Sequence, residues 1–215
     1  MLLAIDTCGS TGTVTLARRD DGRITVLGTV ELAGKTYSAM LMPRLRELLE
    51  THSISLREVE AIIVVNGPGS FTGVRVGVSA VKGLAEVFAT PVVAVSRLQV
   101  LAAKAQKRYA ALDAGRGEFY FRDDELPREA LLSLNELHDE LQSPAQLTVC
   151  EDRTAAVFPG AQVVMPPTAS DALIVAMPRL LSGEFDNLAS LDGNYLRRSD
   201  AEVKEKQKSG ALARQ

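Results

Sequence analysis

Residues 61–65 (Ala-Ile-Ile-Val-Val) are continuously apolar and mostly β-branched, and the chain leaves them through Asn66-Gly67-Pro68-Gly69 into a long helical period. A short run of that kind predicts a strand buried on both faces, so helices must cover both sides of its sheet. Gly67 and Gly69 flank Pro68 and demand a sharp turn, and Ser70 is placed to cap the helix behind it. Buried strand, tight turn and crossover helix in succession point to the α/β class.

The remaining sequence fits that frame. Residues 2–6 read as a strand stopped by Asp6, residues 13–18 as its returning partner, and Asp20-Asp21-Gly22 as a hairpin turn into a third strand over 24–31. The period then changes: Leu41, Leu45, Leu48 and Leu49 share one stripe of a helix over 38–52. A helix over 70–89, a strand over 91–95 and a helix over 98–107 follow. The order β-β-β-α-β-α-β-α predicts a mixed sheet with crossover helices. A shorter version starts again at Tyr109, with strands over 109–113 and 118–122, a helix over 134–141, a strand over 147–150 and a helix over 170–181. Two similar lobes are therefore expected, residues 1–107 and 108–196, each a mixed sheet flanked by helices. Residues 197–215 read as a charged, mobile tail.

The helix over 70–89 is apolar on two sides. At about 100° per residue, Phe71, Val74, Val78, Val81, Ala85 and Phe88 form one stripe. Val76, Ala80, Leu84 and Val87 form a second, with Gly73, Gly77 and Gly83 on or near it. Thr72, Arg75, Ser79, Lys82 and Glu86 occupy a polar wedge between. Small residues permit a close helix approach, so the second face suits a partner chain. Cover from within the lobe, by the helix carrying Leu41 and Leu45, is the other reading. The loop Gly67, Pro68, Gly69 and Ser70 is likewise either a tight turn or an anion site at a helix N-terminus.

Composition narrows the function. The 215 residues are 46% hydrophobic and 24% charged with net charge −3, as in a soluble globular protein. That charge offers no basic stripe for gripping RNA unaided. No run is long enough for a membrane span and the N-terminus carries no signal peptide, so a cytoplasmic protein is expected. Cys8 and Cys150 lack zinc spacing and read as reduced thiols. The Gly-Lys-Ser/Thr ending of a Walker loop is absent, as are Gly-x-Ser-x-Gly and paired histidine motifs. His52 and His138 read as surface or capping residues, and Asp123-Asp124-Glu125 as a solvated loop.

The opening Asp6-Thr7-Cys8-Gly9-Ser10-Thr11-Gly12 resembles the first phosphate loop of the actin–Hsp70–sugar-kinase superfamily, and Asp113-Ala114-Gly115-Arg116-Gly117 is a weaker echo of it. Asp6, Ser10, Thr11 and Asp113 would then be a vestigial nucleotide site. The run from Asn66 to Arg75, with Thr72 and Arg75 inside it, and the following Val-Gly-Val-Ser-Ala-Val-Lys-Gly-Leu-Ala are similar to the signature of the bacterial TsaB (YeaZ) family. Ala4-Ile5-Asp6-Thr7, Pro91-Val92-Val93-Ala94-Val95-Ser96, Leu112–Tyr120 and Tyr195-Leu196-Arg197 agree with the same family in order along the chain.

That resemblance implies an actin-like ATPase (ASKHA) fold without catalysis of its own. It implies a non-catalytic dimerisation or activator subunit that binds the catalytic TsaD subunit and works with the small ATPase TsaE. Together they place threonylcarbamoyl on N6 of adenosine 37 in tRNA, which this chain would meet only through the complex. ATP or ADP and a metal ion are expected in the partner subunits, none being bound by this chain alone, and a homodimer is expected in isolation. Arg97 and Leu101 stand where TsaD carries the two histidines of its metal site, and neither residue can hold iron or zinc. The helices over 38–52 and 70–89 would form the partner interface. Many relatives carry His where this chain has Tyr37. The other reading is a free-standing kinase or ATPase of the same superfamily.

Overall fold

Every side chain of Leu2–Asp6 (β1) is buried, and the first half is built outward from it. β1 pairs antiparallel with Thr11–Asp20 (β2), which pairs antiparallel with Arg23–Ala33 (β3). On its other edge β1 runs parallel to Ala61–Val65 (β4), and β4 to Val92–Val95 (β5). The sheet order is thus β3-β2-β1-β4-β5. The continuous apolar run at 61–65 is buried at every position, as its composition requires. Tyr37–Thr51 (α1) and Phe71–Phe88 (α2) supply crossovers, α1 burying the leucine stripe Leu41, Leu45, Leu48 and Leu49.

The described residues of the computed structural model are 1–33 and 36–197. Arg97–Ala105 (α3) leads into the second sheet. Tyr109–Gly115 (β6), Glu118–Asp123 (β7) and Arg128–Ser133 (β8) form an antiparallel meander, and Leu147–Val149 (β9) and Gln162–Val163 (β10) add in parallel. The order β8-β7-β6-β9-β10 repeats that of the first sheet strand for strand. The chain is therefore a two-lobed actin-like fold, and the repeat in the sequence reflects a repeat in topology. Leu134–Glu140 (α4) and Asp152–Val157 (α5) belong to this half, and Ala169–Ser182 (α6) ends the regular structure.

Several features depart from the sequence expectations, α5 and β10 among them, where no element was expected. Strand β8 was not anticipated, because Arg128-Glu129-Ala130-Leu131-Leu132-Ser133 is only half-buried and lacks clean alternation. The last helix packs on the first sheet rather than the second: Ala169, Ala172, Leu173 and Ala176 are buried in the core of β1, β2, β4 and β5. The Ala169 N–H donates to Thr13 Oγ1 (2.7 Å), and Thr15 and Ser170 share a hydroxyl bond (3.0 Å). Conversely α3, expected with the first lobe, lays Leu98, Leu101 and Ala102 against Ala110 and Leu112 of β6. The two helices exchange sheets and meet at the Lys104–Asp171 ion pair (2.7 Å). Finally, Asp123 is buried rather than solvated: Arg108 grips both its oxygens (3.0 and 2.9 Å), and these bonds hold the carboxyl below the usual range. The expected tail falls on 198–215, outside the described residues. Arg197 itself is anchored, donating to the Gly115 carbonyl (3.1 Å) and to Glu118.

Candidate functional site

The sequence-predicted site residues fall on α1 and α2, on the loop between β4 and α2, and in or near a cleft between the two sheets. On α2 the predicted second face divides. Gly73 and Gly77 turn inward onto the β1–β2 turn, where Thr7 Oγ1 donates to the Gly73 carbonyl (2.7 Å). A Cβ at either glycine would be driven into Thr7, closer than the 3.0 Å that real Cβ atoms keep. Their smallness serves the helix's own seat on the sheet, not the approach of another chain. Leu84, Leu41 and Leu45 are also buried within the lobe. Gly73, Gly77, Leu84 and Leu41 are therefore turned away from the accessible face, while Leu45 reaches only the floor of the groove beside it.

What stays accessible is Val76 and Ala80, half-buried, together with Gly83 and Val87, which is 74% exposed. Met40 and Met42 of α1 are 40% and 46% exposed. Met42, Leu45, Leu49, Ile54, Leu56 and Phe88 line an apolar groove of about 770 Å³, with Arg46, Glu47 and Glu50 among its lining residues. Leu45 and Leu49 thus contribute atoms to the groove floor while remaining core residues. Nothing in periodicity alone distinguished Val87, on the open side of α2, from Leu84 on the closed side.

The signature loop is a junction. Gly67 has φ +111° and a cis peptide bond to Pro68. The Ser70 N–H donates to the Cys8 carbonyl (2.8 Å), the Arg97 N–H to the Gly67 carbonyl (2.7 Å) and the Asn194 N–H to the Asn66 carbonyl (2.7 Å). Ser70 Oγ caps α2 by accepting from the Gly73 N–H (3.2 Å). Gly69 abuts Cys8 so closely that a Cβ would enter its backbone. Thr72 is exposed, and Arg75 stacks on the ring of Phe71 (3.9 Å), which meets Tyr195 (5.0 Å). The widely separated motifs at 4–7, 66–75 and 195–197 thus converge on one region.

Tyr37 is buried and wedged between Gly12 and Gly73, and its hydroxyl donates to the Gly9 carbonyl (2.8 Å). Burial and the nearby Asp6 push its phenol up to about 12, so it acts as a neutral donor.

The cleft, about 700 Å³, is lined by Gly9 and Ser10 from the first turn and by Ser70 from the α2 N-terminus. Arg97 reaches it from α3, and Asp113 and Gly115 from β6. Ser10 and Asp113 of the predicted vestigial site meet here. Asp6 and Thr11 do not line it. Asp6, 1% exposed, lies under Cys8 and accepts its N–H on Oδ1 (2.8 Å), while Thr11 is exposed on β2. Burial raises the Asp6 carboxyl against the opposing pull of Arg97. Asp113 repeats the arrangement, accepting the Gly115 N–H (2.7 Å).

Arg97 is the residue whose position the sequence did not foretell. It is 8% exposed, and its guanidinium lies against Gly9, where a Cβ would come within 2.7 Å of Nη2. Cys8 is buried and donates to the Val65 carbonyl (3.1 Å), and Cys150 is half-buried; both are free thiols. His52 packs over Gly28 and His138 against Phe158 (5.0 Å), structural positions both. Among the described residues no three His, Cys, Asp or Glu side chains group to hold a metal ion, and no helix is long and apolar enough to cross a membrane.

Comparison with known proteins agrees with this architecture. Residues 29–151 match the family model described as "TsaD: tRNA N6-adenosine threonylcarbamoyltransferase". The Escherichia coli (strain K12) tRNA threonylcarbamoyladenosine biosynthesis protein TsaB is 29% identical over 226 residues, covering 93% of this chain and 96% of that protein. Its Haemophilus influenzae namesake is 37% identical over 126 residues, 56% and 52% of the two chains. A Pseudomonas aeruginosa structure of YeaZ superposes with TM-score 0.70 at 27% identity, over 89% of this chain and 98% of that one. A second structure from that organism, described as similar to peptidase YEAZ, gives TM-score 0.73 at 27% identity, over 91% and 99%. A TsaD family model covers more than half of the chain, and a TsaB protein and two YeaZ-type structures match along about nine-tenths of it, so the chain belongs to the TsaB/YeaZ family.

Proposed function

We propose that this chain acts in threonylcarbamoyladenosine biosynthesis on tRNA, as a non-catalytic subunit that docks on a TsaD-type catalytic partner. The observation that carries the reading is the apolar strip of α1 and α2, exposed at Met42 and Val87 and half-buried at Ala80, beside the groove at Leu49 and Phe88. Exposed apolar surface of this kind, with charges among its lining groups, is characteristic of an interaction site. The names of the Escherichia coli and Haemophilus influenzae relatives support the pathway. A TsaE-type ATPase would join the pair, tRNA would be reached through the complex, and the free chain would pair with itself through the same face. ATP or ADP and the metal would reside in the partners, and the setting would be the cytoplasm.

The chemistry of Arg97 and Leu101 supports a non-catalytic role, because neither side chain ligates iron or zinc. The test is size-exclusion chromatography with light scattering on the chain alone and mixed with a TsaD-type subunit. A stable mixed species formed at the expense of any homodimer is expected, and its absence with nucleotide and TsaE present would overturn the reading. The interlobe cleft favours one other reading, a free-standing ATPase or kinase, which requires ATP turnover by the isolated chain.

A further inference from the structure

Arg75 is an exposed cation that the fold holds in place without a counter-charge. Its guanidinium lies 3.9 Å from the centre of the Phe71 ring and 5.9 Å from that of Tyr195, and the two rings meet at 5.0 Å. Among the described residues no carboxylate and no hydrogen-bond acceptor engages it. On α1, by contrast, Arg44 and Arg46 are each paired with a glutamate of their own helix, Glu47 and Glu50. A guanidinium stacked on aromatic rings has already given up much of its rotamer freedom. Its N–H fork can therefore be committed to an acceptor at low entropic cost.

The stack stands at one end of a polar pocket of about 600 Å³. Arg75, Ser79 and Lys82 form part of its α2 wall, and Asp192 and Tyr195 face them from the chain beyond α6. Two hydrogen bonds tie these walls together: Lys82 Nζ donates to the Leu191 carbonyl (3.0 Å) and Asn66 Nδ2 to the Asp192 carbonyl (3.2 Å). Ser79 and Gly83 are about 40° apart around α2, so the pocket adjoins the open strip of Val76, Ala80, Gly83 and Val87. We propose that this pocket is the charged edge of the partner interface, in which Arg75 receives a carboxylate side chain of the TsaD-type subunit. The proposal rests on the docking reading above and adds the chemistry that the partner must present. An apolar centre with a polar rim is the usual anatomy of an interface, and arginine is prominent among residues that dominate binding. The guanidinium fork matches a carboxylate with two parallel N–H bonds. An RNA backbone fits less well. Asp192 lines the same pocket, and Glu86, one turn beyond Lys82, is exposed and has no ion-pair partner among the described residues. A run of phosphates would be set against both carboxylates, on a chain whose net charge is already −3.

The experiment is calorimetric titration of the full chain with the TsaD-type subunit at low and high salt. Arg75→Met, which keeps an unbranched stem against Phe71, should weaken binding about tenfold at low salt. Arg75→Glu should weaken it further, and the loss of affinity that salt causes in the parent should shrink in Arg75→Met. Urea unfolding checks that each variant is folded, and Val87→Asp is titrated alongside. If Val87→Asp weakens binding while Arg75→Met binds like the parent, this proposal is overturned and the docking reading stands. If neither variant weakens binding, the docking reading falls and this proposal with it. Arg75→Glu no weaker than Arg75→Met would make the side chain a packing group rather than a carboxylate receptor, and overturns the proposal. So does an Arg75→Met variant that binds the subunit normally but loses tRNA retention by the assembled complex, which assigns the guanidinium to RNA phosphate.

Discussion

Two glycines on α2 are expected to respond to the same substitution with opposite signs. At Gly83 nothing lies within 4 Å of an added Cβ, so Gly83→Ala gains the intrinsic helix preference of alanine, about 1 kcal/mol. At Gly73 the same methyl enters the carbonyl of Thr7, a backbone atom that cannot swing away. Relief requires α2 to lift off the β1–β2 turn, an overpacking cost of about 1–3 kcal/mol. It also weakens the Thr7–Gly73 hydrogen bond (2.7 Å), itself worth about 1 kcal/mol. Costs of about 2–4 kcal/mol against a gain of about 1 leave Gly73→Ala destabilised by about 1–3 kcal/mol. With a urea slope of about 2 kcal/mol per molar, its midpoint should fall by about 0.5–1.5 M while that of Gly83→Ala rises by about 0.5 M. Urea unfolding of the isolated chain followed by circular dichroism measures both. A Gly73→Ala variant as stable as the parent would refute the reading of Gly73 as a seat for Thr7.

Val87→Asp, at an exposed position, should leave stability within about 0.5 kcal/mol of the parent yet weaken partner binding at least tenfold, measured by titration calorimetry. Leu84→Asp, three residues away but buried, should instead abolish cooperative unfolding. Tyr37→Phe removes one buried hydroxyl bond to the Gly9 carbonyl and should cost about 1–3 kcal/mol in the same urea assay. Arg108 holds the Asp123 carboxyl below its unfolded value near 3.9, so its contribution is complete above about pH 5 and disappears as pH falls through the lowered folded value. Urea midpoints taken from pH 6 to pH 2.5 should therefore fall more steeply for the parent than for Asp123→Asn, and parallel curves would contradict the pairing.

The first sheet was readable because its chemistry is local. The apolar run at 61–65, the Asp20-Asp21-Gly22 hairpin and the leucine stripe of α1 each declare their element within a few residues. The site was readable only in part. Periodicity finds an apolar face on α2 but cannot say which side meets the β1 turn, and so Gly73, Gly77 and Leu84 were assigned outward. The exchange of sheets between α3 and α6 rests on contacts far apart in the chain, such as Ala169 with Thr13. Asp123 looked solvated among its acidic neighbours because Arg108, its partner, lies across the β6–β7 ladder. Arg97 was noticed only through the family resemblance, while its burial beside Gly9 follows from the packing of segments far apart in the chain.

The central claim, that the open sides of α1 and α2 receive a TsaD-type subunit, is tested most directly by hydrogen exchange of the chain with and without that subunit. The account predicts added protection concentrated in 37–51 and 71–88, and loss of that protection in Val87→Asp. Protection confined to the second sheet, or no change in those two helices within a complex that does form, would contradict it.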